Sequence, residues 1–155
     1  MAPKTHRVPL LVAALAWACV ACTAGGDEAS IDRTALVGRW TNGAGAQLVF
    51  RSAHRMSGTG LHDAMLGGTS CPDSVSGKWS FFSPPDDHGT SIADASLTSG
   101  DSVALHITTP GSHCILSAQV HRDDHGFNLC LAEDPDSGCS EEELLRPVRE
   151  RTRNR

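Results

Sequence analysis

LVGRWTNGAGAQLVFRS, Leu36 to Ser52, is the stretch on which the fold turns. Two β-like runs, LVGRWT and AQLVFRS, stand either side of a glycine-containing break, and in the second Leu48 and Phe50 fall on one face of an extended chain. The same two-residue alternation returns further on. Trp79 and Phe81 share a face in GKWSFF, and Val103, Leu105 and Ile107 share one in SVALHIT. ASLTS, ILSAQV, FNLCLA and ELLRPV complete the series, separated by turn-forming clusters such as SPPDDHGTS and RDDHG. Helical periodicity is sustained nowhere after the N-terminus except in SEEELLRPVRER, where Pro147 argues for a strand or a short turn. Seven or eight short strands in about 110 residues predict an all-β domain, a small antiparallel barrel or a sandwich of about eight strands.

Upstream of this domain the chain changes character. Lys4 and Arg7 precede an uncharged apolar run from Val8 to Ala18, and the first acids are Asp27 and Glu28. That layout is an export signal. As a membrane span the run is too short, since about 20 apolar residues are needed. The segment resembles a lipoprotein signal, in which a peptidase cuts before a cysteine carrying a diacylglyceryl group. Val20 and Ala21 suit cleavage before Cys22, whereas the bulky Trp17 counts against Cys19. The other route is an ordinary secretory cut after Ala16, Trp17 and Ala18, releasing a soluble protein. The expected organisation is therefore a signal peptide over 1–21, a flexible tether over 22–35, a barrel-like domain over 36–147 and a basic disordered tail over 148–155. The expected address is the extracellular face of the cell membrane, held by lipid at Cys22, with secretion as the alternative.

Export changes the meaning of the remaining cysteines. Cys71, Cys114, Cys130 and Cys139 form an even set in an oxidising compartment, which reads as a disulfide framework. Turn formers in LAEDPDSG favour pairing Cys130 with Cys139, and Cys71 with Cys114 follows by elimination. The longer of the two loops stabilises more, on the order of 4 kcal/mol in the chain-entropy model. Zinc has little support, because no C-x-x-C pair is present and His113 beside Cys114 is poor ligand geometry.

After removal of the signal, 18 acids face 11 bases, a net charge of −7. Five of those bases lie in the tail from Arg146 onward, leaving 6 bases and 17 acids in the body. An acidic body argues against a nucleic-acid partner. The tail reads as a solvated end, with anionic headgroups or wall polymers as the alternative contact.

Gly38, Arg39 and Trp40 resemble the G-x-W that opens the first strand of lipocalin-type barrels, where the tryptophan plugs the closed end. The wider pattern LVGRW, GAQLVFRS, MSGTGL, SGKWSF and LCLAEDPDSGCSEEELLRP is similar to a group of small exported lipoproteins of actinomycete bacteria. That group has a second G-x-W, here Gly77, Lys78 and Trp79, and a final DPD turn. The resemblance covers nearly the whole mature chain and implies a barrel with Trp40 and Trp79 in plug or core positions. It implies an address rather than an activity. The lipocalin likeness adds the expectation of a small apolar ligand, although the aromatic core residues number only six, Trp40, Phe50, Trp79, Phe81, Phe82 and Phe127, and tyrosine is absent.

Sites for chemistry are thin. Gly100, Asp101 and Ser102 match the nucleophile block of one hydrolase family, but that family needs an α/β sheet and a later Asp-x-x-His, and Arg122 stands three residues before His125. No G-x-S-x-G elbow is present. His121 and His125 have zinc spacing only on a helix, and Gly126 with the paired acids marks a turn instead. DDHG occurs twice, at Asp86–Gly89 and Asp123–Gly126, and the two turns would form a divalent-metal site if they met. Asp134, Asp136 and Gly138 match part of a calcium loop, with Pro135 and a Cys130–Cys139 bridge favouring a structural hairpin. No catalytic residue, metal ligand or cofactor is assigned, and the protein is not expected to be an enzyme. The expected function is a lipid-anchored envelope module that binds a small molecule or a surface. The alternatives are an interaction or inhibitor protein presenting loop 130–139 to a protein partner, or a secreted soluble form.

Overall fold

The computed structural model describes residues 26–61, 72–110, 115–131 and 138–149. Two short strands, β1 (Asp27–Glu28) and β2 (Ile31–Asp32), and the single-turn helix α1 (Arg33–Leu36) come first. The LVGRWT and AQLVFRS runs become β3 (Gly38–Thr41) and β4 (Gln47–Arg51), followed by β5 (Arg55–Thr59) and β6 (Ser74–Phe82). Two more short strands, β7 (Ala93–Asp94) and β8 (Ser99–Gly100), precede β9 (Ser102–Ile107), β10 (Ile115–Asp123), β11 (Gly126–Cys130) and β12 (Leu144–Pro147).

Eight of these strands close on themselves. β3, β4, β5, β6, β9, β10, β11 and β12 each pair antiparallel with the next, and β12 returns to β3 through Arg146 opposite Thr41 and Pro147 opposite Trp40. The fold is a closed eight-stranded antiparallel barrel, so the large sheet exposes no long unpaired edge. Pro147 ends its strand, where the missing N–H is tolerated.

An eight-stranded barrel has an interior that side chains can fill. Here alternation supplies them: Leu48 and Phe50 from β4, Val75, Trp79 and Phe81 from β6, and Val103 and Leu105 from β9 are all buried. Trp79 stands edge-on to Phe50, with centroids 5.9 Å apart, and to Phe81 at 5.6 Å, a packing that favours the aromatic quadrupoles. Both indoles find acceptors. Trp40 Nε1 donates to the Leu36 carbonyl at 2.8 Å and Trp79 Nε1 to the Arg51 carbonyl at 3.0 Å.

The two G-x-W glycines have different reasons. Gly38 takes φ 145°, a conformation that side chains disfavour, where the chain leaves α1 and turns into β3. Gly77 lies opposite Ile107, and a Cβ there would overlap the His106 carbonyl oxygen and lie 2.9 Å from its carbon. Its bare backbone lets β9 approach β6.

The expected tether over 22–35 needs correction. From Asp27 onward the chain is built into the domain: β1 pairs with β10, β2 pairs with β8, and Ile31 and Leu36 are buried in the same core as Trp40. Arg33 fastens the segment, its backbone N–H donating to Thr98 at 2.8 Å and its guanidinium to the carbonyls of Leu97 and Ala95 at 2.9 and 3.3 Å. α1 thereby lies at the end of the barrel where β3 begins. The ASLTS run also departs from its expected strand. Asp94 Oδ1 accepts from the Ser96 N–H and hydroxyl, which turns the chain there and leaves only Ser99 and Gly100 to pair, with β2. At the other terminus, Val148 donates to the Arg39 carbonyl and Arg149 Nη2 to that of His125, so the two first residues of the expected tail are fixed to the barrel.

Candidate functional site

The packed interior directs attention outward. Open grooves lie on the outer surface of the described residues. The first, about 330 Å³, is lined by Glu28, Phe82, Asp101, Ser102 and Gln119 among others, and a second of similar size shares Phe82 and Asp101 with it. The Gly100–Ser102 triplet thus ends β8 and begins β9 beside a groove with two carboxylates and no histidine in its lining.

The other groove, about 460 Å³, lies over β4, β5 and β6 and has a different chemistry. Arg51 is directly opposite Arg55, Arg55 is directly opposite Lys78, and Lys78 is directly opposite His106 on β9. All four are exposed; Arg51, Arg55 and Lys78 line the groove together with Ser57, Ser76 and Thr108, which lie in the neighbouring cross-strand row. Arg51 Nη1 donates to Ser57 Oγ at 3.2 Å. Among the described residues, ion pairs involve only Arg146, with Asp123 and Glu141, so none offsets these cations.

No family model, curated protein or solved structure matches this chain.

Cys22, Cys71 and Cys114, like Asp134 and Asp136, lie outside the described residues, as does the Cys71–Cys114 pairing. Cys130 and Cys139 are joined by a disulfide, with Cα atoms 5.7 Å apart, and pack with Leu144. The base of the loop they close is well held: Leu131 donates to the Glu143 carbonyl, Ser140 donates to Glu143 Oε2 at 2.8 Å, and Asn42 Nδ2 donates to the Glu142 carbonyl. Asn42 Oδ1 in turn accepts from Ala44 and Ala46, tying the β3–β4 connection to the same end. Trp40 and Trp79 are each 1% exposed, in the core.

Both DDHG turns spend their first aspartate locally. Asp86 Oδ1 accepts from His88 and Thr90, each at 2.9 Å, and Asp123 Oδ1 accepts from His125 at 2.7 Å. Asp123 Oδ2 takes Arg146 Nη1 at 2.5 Å and Asn128 Nδ2 at 3.2 Å. The Arg146 guanidinium chiefly, against partial burial and with help from the His125 N–H, holds the Asp123 carboxyl below the ordinary carboxylate range. Ser96, through its hydroxyl and its N–H, does the same for Asp94. His121 lies in β10 facing Gly26 and Gln119, while His125 lies in the β10–β11 turn. Among the described residues no three His, Cys, Asp or Glu side chains gather into a metal-binding group.

Sequence reading missed the row of bases, because it sought charge in runs and found only the tail. Each of Arg51, Arg55 and Lys78 is on the outward parity of its strand, which alternation alone reveals. Their alignment across three strands requires the register.

Proposed function

We propose that the chain is an exported, lipid-anchored envelope protein whose barrel is a binding module working through its outer face. The observation that carries the export reading is the Cys130–Cys139 disulfide, since such bonds persist in oxidising compartments. The packed barrel interior favours a ligand held outside over an apolar ligand held within. Only Thr23, Ala24 and Gly25 separate Cys22 from Gly26, where the described domain begins, so a lipid on Cys22 holds the barrel within about 15 Å of the bilayer surface. Two acyl chains are what stable attachment requires.

Mass spectrometry of the protein from its own host tests this. The expected spectrum shows a mature N-terminus at Cys22 carrying a diacylglyceryl group, with Cys22→Ser released from the membrane. An unmodified N-terminus at Cys19 identifies the secreted form and overturns the anchor. Among the described residues no helix is long and apolar enough to cross a membrane.

The firmly held base of loop 130–139 supports a second reading, presentation of that loop to a protein partner, because fixing the two ends of a loop beforehand lowers the entropy cost of docking it. A partner captured by the parent but not by a variant carrying Glu133→Ala and Asp136→Ala would favour it.

A further inference from the structure

We propose that the groove over β4, β5 and β6 is a binding site for a small soluble molecule carrying more than one phosphate. The inference rests on the reading of the barrel as a module that binds on its outer face, and it is independent of the anchor. Arg51, Arg55 and Lys78 stand in register on three adjacent strands, at the strand spacing of about 4.8 Å. Like charges directly opposite one another destabilise a sheet. The body has only 6 bases against 17 acids, yet three of the six converge on this groove, and its lining contains no carboxylate. The other three, Arg33, Arg39 and Arg122, do not line the groove; Arg33 is committed to backbone carbonyls and Arg122 lies 5.2 Å over the Phe127 ring.

The donors suit phosphate rather than a lone carboxylate. One guanidinium satisfies a planar carboxylate through its two oxygens, whereas two guanidinium groups and an ammonium in a row across three strands supply more donors than one carboxylate can take, with the Ser57 and Ser76 hydroxyls in the next row. Two or more linked phosphates, with several charges and acceptors on each, match that set. The groove volume, about 460 Å³, is in the range of small-molecule sites. The Arg51–Ser57 hydrogen bond holds one arm in place before any ligand arrives.

The test is calorimetric titration of the mature chain, Cys22 to Arg155 with Cys22→Ser, against inorganic phosphate, pyrophosphate, tripolyphosphate and citrate at fixed low salt. Affinity should rise along the phosphate series, and tripolyphosphate should exceed citrate about tenfold or more. Arg55→Gln should weaken tripolyphosphate binding about tenfold or more, the loss expected for a charge-assisted hydrogen bond. Arg122→Gln removes the same charge elsewhere and should leave affinity within about twofold. Equal losses in the two variants, or citrate binding as tightly, would overturn the proposal. Sedimentation of the same chain with phosphatidylglycerol vesicles, in the absence of any tripolyphosphate binding, would overturn it in favour of a lipid headgroup. Both variants sit on exposed positions, and a thermal melt of each verifies that the barrel is intact. Because Cys22 is absent from this chain, failure here leaves the anchor reading standing, and failure of the anchor leaves this result readable.

Discussion

Truncating Ile31 to alanine distinguishes a segment built into the domain from a tether. Ile31 is 1% exposed, packs in the main core and pairs through its backbone with Gly100. Ile→Ala at a fully buried site costs about 2–5 kcal/mol, the lower part of that range if the site collapses. Ile31 lies at the end of the barrel rather than its middle, where relaxation is easier, so about 3 kcal/mol is the working figure. For a domain of this size each kcal/mol lowers the melting temperature by roughly 3–5 °C, giving a drop of about 10 °C. Thr34, exposed on α1, supplies the control, and Thr34→Ala should move the midpoint by no more than about 2 °C. Tryptophan emission is a convenient reporter in a chain begun at Cys22, whose two tryptophans, Trp40 and Trp79, are both in the core. Were Ile31→Ala to melt together with Thr34→Ala, residues 26–35 would be a tether after all and the packing of β2 and α1 against the barrel would be wrong.

Three further outcomes follow from the same structure. Gly77→Ala should loosen the β6–β9 seam by about 2 kcal/mol or more, seen as faster hydrogen exchange at the Thr108 amide, which donates to the Ser76 carbonyl. Replacing Cys130 and Cys139 together by serine should lower stability by about 2–3 kcal/mol in urea, from the nine-residue separation of the pair in the chain-entropy model. Asp123→Asn should destabilise by on the order of 1 kcal/mol at pH 7, given a partly exposed pair. Because the folded pKa of Asp123 is depressed, its contribution is complete above the unfolded value of about 4 and disappears as pH falls through the lower folded value, so parent and variant should converge in acid.

The barrel was legible because burial in a strand is written locally. Leu48 with Phe50, Trp79 with Phe81, and Val103 with Leu105 announce an inward face without knowledge of any partner, and strands this short and numerous leave few architectures. The Cys130–Cys139 bridge was legible for a similar reason, since its loop carries its own turn formers. Residues 26–36 were not. They offer Ile31 and Leu36 as large apolar residues in a small, polar stretch, and two isolated side chains establish no period; what buries them is the end of a barrel made by strands from elsewhere. The barrel's interior was less legible: a G-x-W strand is compatible with a hollow barrel or a filled one, and the burial of Trp40, Phe50, Trp79 and Phe81 in one core depends on strands from different parts of the chain.

Register explains why the three cations align, and the core explains the register. A one-residue slip of β6 would turn Lys78 inward and Trp79 to solvent, exchanging a buried indole for a buried, unpaired ammonium. A two-residue slip keeps that parity but sets Val75 or Trp79 opposite Ile107, where the His106 carbonyl leaves no room for a Cβ. Trp79 therefore selects the face and Gly77 the step, and between them they fix Lys78 beside Arg55. Strand β4 is fixed likewise, by Phe50 packing edge-on against Trp79, and that sets Arg51 beside Arg55. The repulsion among these bases is thus imposed on the outer face by interactions on the inner one. Relieving it needs only a substitution on the surface, such as Arg55→Gln, which leaves every core contact in place.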